Sequence, residues 1–131
     1  VIVDSSALIA MLKWEPETQR LTEALFGPEP ASLSAANYLE TSIVVDRSRD
    51  PRLSRQFDVL LREAAIEIVP VTVEQARIAR AAYRDFGKGS GHPAGLNFGD
   101  CFAYALATDR NESLLYKGDD FVHTDVRSAL D

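Results

Sequence analysis

The chain has 131 residues, 46% of them hydrophobic and 26% charged, a balance ordinary for a globular domain and too apolar for a disordered one. Fourteen Lys and Arg against twenty Asp and Glu leave a formal net charge of −6, which excludes a general polyanion binder working by bulk electrostatics. No apolar run approaches the roughly 20 residues that cross a bilayer, so a single domain over residues 1–131 with no membrane segment is expected.

Val1-Ile2-Val3 is a short β-branched run ended by Asp4, and Ser5-Ser6 then open an apolar stretch (Ala7, Leu8, Ile9, Met11, Leu12) with serine as a candidate helix cap. A second helix is predicted from about Pro16 to Phe26, broken by Gly27-Pro28-Glu29-Pro30. Ala31–Ser34 reads as a strand. Ala35, Leu39 and Ile43 recur every fourth residue in a third helix that ends near Asp50-Pro51, and a fourth runs to about Ala65 with Leu53, Phe57, Leu60 and Leu61 as its buried stripe. Ile66–Val69 is a strand closed by Pro70. Val73, Ala76, Ala79, Tyr83 and Phe86 form the clearest helical stripe in the chain. A glycine-rich loop from Gly87 to Gly95 leads to a helix opened by Asn97-Phe98, with Phe98, Phe102 and Leu106 on one face. Ser113–Tyr116 is a last strand, turned sharply by Lys117-Gly118-Asp119-Asp120-Phe121; Val126–Leu130 is too short to type. Short, fully buried strands alternating with helices predict a three-layer α/β/α domain with a mostly parallel central sheet of four or five strands.

Acids fall at the boundaries of these elements. Asp4 ends the first strand and Asp119-Asp120 follow the last; in an open parallel sheet such strand ends gather along one edge, where ligands bind. Glu40 and Asp100 flank apolar stripes near helix starts. Each has an ordinary reading as well: Asp4 as a cap or turn residue, Asp100 as a first-turn acid favoured by the helix dipole, Glu40 as an exposed helix residue, and the Asp pair as turn composition. Carboxylates forced together raise one another's pKa, and a hard divalent cation relieves this by taking one or two of them with several waters. Zinc is not expected, because His92 and His123 are far apart in sequence and Cys101 is alone. One cysteine also precludes an intramolecular disulfide and fits a reducing, cytoplasmic setting.

Taken together, Ile2-Val3-Asp4-Ser5-Ser6-Ala7-Leu8, Tyr38-Leu39-Glu40, Asn97-Phe98-Gly99-Asp100-Cys101 and Lys117-Gly118-Asp119-Asp120-Phe121 resemble the PIN domain, and more narrowly the VapC toxins of type II toxin–antitoxin modules. The similarity runs in order across essentially the whole chain. It implies a Mg2+- or Mn2+-dependent endoribonuclease in which metal-activated water cleaves RNA phosphodiesters. Asp4 and Asp100 would be direct metal ligands, Glu40 would hold a metal or orient the attacking water, and Asp119 would be the fourth acid, with Asp120 as the alternative. Ser6 matches a hydroxyl position near the metal, or caps a helix. The resemblance further implies a VapB-type antitoxin whose tail sets a basic residue in the acidic pocket, a homodimer, and a toxin–antitoxin hetero-oligomer.

An acidic protein needs local positive charge to bind RNA. Lys88 in the glycine-rich loop, near Arg80, Arg84 and His92, is one candidate; Arg47, Arg49, Arg52 and Arg55 form a second run, and either run also reads as a solvated face. Trp14 and Tyr38 are candidates for base stacking, for core packing or for an antitoxin interface. The competing readings are a phosphate-transfer protein on a similar scaffold and a PIN-like module that binds without cleaving.

Overall fold

Strands of two or three residues suffice for a sheet here because helices bury both of its faces. The computed structural model describes residues 1–131. In chain order the elements are β1 (Ile2–Val3), α1 (Ser5–Leu12), α2 (Thr18–Leu25), β2 (Ser32–Ser34), α3 (Ala35–Arg47), α4 (Pro51–Glu63), β3 (Glu67–Val69), α5 (Val73–Phe86), α6 (Phe98–Arg110) and β4 (Leu114–Leu115). All strand pairs are parallel, in the order β3-β2-β1-β4. A single parallel bridge from Leu114 to Ser128 extends the sheet beyond β4, so the untyped C-terminal stretch is a rudimentary fifth strand. No helix is long and apolar enough to cross a membrane.

The period-2 alternation of strand side chains divides the core. Val3, Leu33 and Leu115 face one cluster with residues of α1, α2 and α4, including Leu8, Leu21, Leu25 and Phe57. Ile2 and Leu114 face the other, built on α5 and α6 with Ala79, Ala82, Leu106 and Phe121. This is the expected three-layer arrangement.

Three helical stripes read from apolar spacing are rotated in the structure. On α3, Leu39 is 59% exposed and Ile43 is also exposed, while Asn37, Thr41 and Val45 face inward. On α5, Val73, Ala76 and Tyr83 are exposed, and Gln75, Ala79 and Ala82 are buried; Gln75 Nε2 donates to Asp109 Oδ2 of α6. On α6, Leu106 is buried but Phe98 is 77% exposed, because Gly99, Asp100, Cys101 and Ala103 occupy the inner face. Small residues let α5 and α6 lie close, and polar residues on the inner faces are bonded across them, so apolar spacing alone misplaces those faces. The expectation that every strand is fully buried also fails at β3, the sheet edge, where Glu67 and Ile68 are exposed.

Candidate active site

The strand order reverses between β1 and β4: the chain moves from β1 outward through β2 and β3, then returns to the far side of β1. Carboxyl-terminal strand ends at such a switch point form a natural crevice, and four segments meet there. Asp4 follows β1, the Lys117–Phe121 turn follows β4, and the N-terminus of α6 and the first half of α3 close the sides.

Asp4 is both a cap and more than a cap. Its Oδ2 accepts from Ser6 N–H at 3.0 Å, closing the start of α1. The residue is only 3% exposed, and Oδ1 is buried with no hydrogen-bond partner. Burial is the main reason its pKa is pushed up to about 6, against the lowering effect of the Ser6 bonds, with Glu40 and Asp120 adding repulsion. Asp100 likewise does two things. Its Oδ2 accepts from Asn97 N–H at 3.0 Å while Asn97 Oδ1 accepts from Asp100 N–H at 2.8 Å, a reciprocal capping box. Burial again pushes its pKa up, to about 7, with the charges of Asp4 and Asp120 and a hydrogen-bonding contact to the Asp120 carboxyl contributing.

Glu40 is held by a different set of contacts. Ser5 Oγ donates to its Oε1 at 2.6 Å, and Asn37 Nδ2 donates to the same oxygen at 3.2 Å. Asn37 Nδ2 also donates to the Gly99 carbonyl at 2.9 Å, joining α3 to the first turn of α6. The Glu40 carboxylate lies where a Cβ on Gly99 would be, so a side chain there would have to displace Glu40, a constraint of space and not of backbone angle.

The structure therefore brings Asp4, Glu40 and Asp100 together, as the sequence predicts. It favours Asp120 over Asp119 as the fourth acid. Asp120 acts on both Asp4 and Asp100, whereas Asp119 lines a separate cavity of about 420 Å3 with Glu17, Arg20 and Lys117. The turn sends successive side chains to opposite sides, and a reading from sequence position had no means to pick the register. The Ser6 hydroxyl lies beside the acids: its side chain bonds to Asp4, and its Oγ accepts from Lys117 N–H at 3.0 Å and fastens the turn. Lys88 is exposed and its ammonium pairs with none of the acids; its backbone is tied to Leu96 and Tyr83. Trp14 is 79% exposed at the edge of an apolar groove, not in the core, while Tyr38 packs on Phe57 with ring centroids 5.9 Å apart. Cys101 is buried, and that burial with Asp100 alongside pushes its thiol up to about 11, which removes it as a nucleophile.

Sequence reasoning missed Ser5, Asn37 and Gly99. A signal existed for Asn37: it precedes Glu40 by three, the spacing that puts both on one side of a helix.

No three His, Cys, Asp or Glu side chains converge closely enough to enclose an ion with protein atoms alone. The donor set instead fits an open site. Asp4 Oδ1, buried and unpartnered, and the Asp100 carboxylate are hard oxygen donors of the kind Mg2+ takes in ones and twos while keeping its waters.

Comparison with known proteins agrees with this geometry. A family model for the PIN domain matches residues 1–127: the chain belongs to the PIN-domain family. Within it the chain is of the VapC type, being 58% identical over 131 residues to ribonuclease VapC28 of Mycobacterium tuberculosis, covering 100% of this chain and 98% of that protein. Among solved structures it is similar to a toxin–antitoxin complex from Klebsiella pneumoniae, with a TM-score of 0.73, 16% identity and 98% and 97% of the two chains covered. It is also similar to VapBC2 from Rickettsia felis bound to a fragment of promoter DNA, with a TM-score of 0.74, 14% identity and 97% and 95% covered.

Proposed function

We propose that this chain is the toxin of a type II toxin–antitoxin pair and a Mg2+- or Mn2+-dependent endoribonuclease that hydrolyses RNA phosphodiesters. One observation carries the reading: Asp4, Glu40 and Asp100 come from distant segments to the sheet's switch point, burial raises the pKa of Asp4 and of Asp100, and one buried oxygen, Asp4 Oδ1, has no protein partner. Buried charge without compensation is costly, so such a cluster makes sense as one completed by a cation. The 58% identity to a protein named as a ribonuclease supports RNA as the substrate.

When bound, a divalent ion supplies positive charge that draws a phosphodiester into an acidic cleft and lowers the pKa of water enough for attack at phosphorus. The protein's own residues divide the remaining work. Asp4 and Asp100 would hold the ion, and Asp120, whose charge acts on both, would add to its attraction. Glu40 is anchored through Oε1 by Ser5 and Asn37, which leaves Oε2 to accept a proton from the attacking water.

The partner in this reading is a VapB-type antitoxin, since the structural neighbours from K. pneumoniae and R. felis are a toxin–antitoxin complex and a VapBC assembly. An apolar groove of about 880 Å3 lined by Met11, Leu12, Trp14, Phe26, Val59 and Leu60 suits an antitoxin segment, and the acidic pocket suits a basic residue from its tail. Exposed Leu39, Ile43 and Phe98 beside the site suit a homodimer contact, giving a hetero-oligomer with the antitoxin. With RNA as substrate, the cytoplasm is the place of action.

The test is cleavage-end mapping on total RNA with Mg2+, Mn2+ or EDTA, for the wild type and for Asp4→Asn and Asp100→Asn. Ion-dependent cuts that vanish in both variants, and that persist when the nucleotide 5′ to the scissile bond is 2′-deoxy, are expected for attack by water. Cuts that survive EDTA, or that end in 2′,3′-cyclic phosphate, would overturn the mechanism.

A further inference from the structure

We infer that Lys117 is a positioning residue that fixes the Asp120 carboxylate at the mouth of the acidic cluster by tethering its turn to the loop between α1 and α2. The inference rests on the proposed reading of Asp4, Asp100 and Asp120 as one cation site, and adds an ion triad outside the four predicted acids.

Lys117 is held at both ends. Its backbone N–H donates to Ser6 Oγ at 3.0 Å, and its Nζ donates to Glu15 Oε2 at 2.5 Å and lies 3.5 Å from Glu17 Oε2. Each of the three side chains is partly covered, and Glu17 Oε2 is shielded from solvent without a hydrogen-bond partner. A lone surface ion pair contributes little, but a network that also carries a backbone hydrogen bond is a better-ordered arrangement. The carboxylates come from Glu15 and Glu17, just before α2, so the triad joins segments about a hundred residues apart.

Asp120 needs such a tether. It is exposed, and its backbone N–H and C=O make no backbone hydrogen bond. Gly118 before it has φ +97°, a left-handed conformation that favours glycine and leaves the turn free of side-chain constraint. Phe121 after it is buried against Tyr116, ring centroids 5.1 Å apart. Asp120 thus spans a gap between two anchors, Lys117 and Phe121. Without the Lys117 ammonium the turn keeps only the backbone bond to Ser6 at this end, and Glu15 and Glu17 lose their counter-charge.

The experiment is a double-mutant cycle. Lys117→Met removes the charge and keeps the aliphatic stem; Glu15→Gln/Glu17→Gln removes the other side and serves if Lys117→Met folds poorly. Amide hydrogen exchange over residues 117–121 is read in metal-free protein, and Mn2+ binding is read by electron paramagnetic resonance. We expect faster exchange confined to the turn, Mn2+ affinity lower by about tenfold, and recovery of both in Lys117→Arg. In an Asp120→Asn background Lys117→Met should cause no further loss of Mn2+ affinity, because the tether then has nothing to position. Turn exchange that stays at the wild-type rate in both charge-removing variants, or a full additional loss of affinity in the Asp120→Asn background, overturns the inference. A wild type that cleaves no RNA would defeat the functional reading alone, and one that binds no Mn2+ would defeat the cation site; the exchange measurement decides the tether in either case.

Discussion

Ser5 Oγ donates a 2.6 Å hydrogen bond to Glu40 Oε1, so the first turn of α1 orients a carboxylate on α3. The same oxygen accepts from Asn37 Nδ2 at 3.2 Å. With both donors on Oε1, the carboxylate plane is set and Oε2 lies against Gly99. Ser5→Ala leaves only the longer bond. A hydrogen bond to a charged group contributes about 1.5–3 kcal/mol, so kcat for RNA cleavage should fall at least tenfold with little change in KM. Single-turnover cleavage at saturating ion measures this, and an unaltered rate would mean Glu40 is oriented by other means.

Gly99 stands against that same carboxylate. A Cβ there would overlap Glu40, and the backbone of α6 cannot retreat because Asn37 holds the Gly99 carbonyl at 2.9 Å. Gly99→Ala should destabilise the fold by about 1–3 kcal/mol, the usual cost of overpacking, and displace Glu40. Adding Glu40→Ala should restore much of the melting temperature while leaving cleavage absent. Thermal melts of the single and double variants check the pair; a double variant no more stable than Gly99→Ala would place the clash elsewhere.

Asp119 and Asp120 are adjacent but look into different spaces. Asp120 raises the pKa values of Asp4 and Asp100, and Asp119 lines the cavity with Glu17 and Arg20. Asp120→Asn should weaken Mn2+ binding about tenfold or more, and Asp119→Asn should change it less than twofold. Calorimetric titration of Mn2+ into both variants distinguishes them. Equal losses would show that the turn rearranges when an ion binds.

How much of this was legible beforehand follows from where the information lies. The alternation of β-branched runs with amphipathic stretches was enough for a parallel, helix-covered sheet, and strand ends marked by Asp4 and Asp119-Asp120 were enough to predict one acidic edge. What failed was the inner face of each helix. Leu39 and Phe98 look like core residues by spacing, but they are exposed because Asn37, Thr41 and Asp100 occupy the inside, where the bonds of Asn37 and the carboxylate of Asp100 serve the site. Hydrophobic periodicity has no access to a helix whose buried side is polar. The choice between Asp119 and Asp120 needed the conformation of a turn around Gly118, and the triad of Lys117 with Glu15 and Glu17 needed contacts across the whole chain.

Asp4 carries the strongest tension between stability and function. Its pKa in the native protein is about 6, above the roughly 3.9 of an unfolded aspartate. The native state therefore holds this proton more tightly than the unfolded state between those values. The stabilisation is complete below about pH 4 and is lost as pH rises through about 6; Asp100, with its pKa pushed up to about 7, acts in the same direction. At pH 8 without metal, ionised Asp4 costs on the order of 3 kcal/mol relative to a neutral group. Asparagine keeps an oxygen to accept from Ser6 N–H and carries no charge. Asp4→Asn should thus melt several degrees higher than the wild type at pH 8, and the gap should close by pH 4. Adding Mn2+ at pH 8 should raise the wild-type melting temperature, and the variant's much less. Calorimetric melts at pH 4, 6 and 8, with and without Mn2+, test all three statements. A variant that is less stable than the wild type at pH 8 would mean that the Asp4 charge is already compensated within the protein, and the case for an ion there would lose its physical basis.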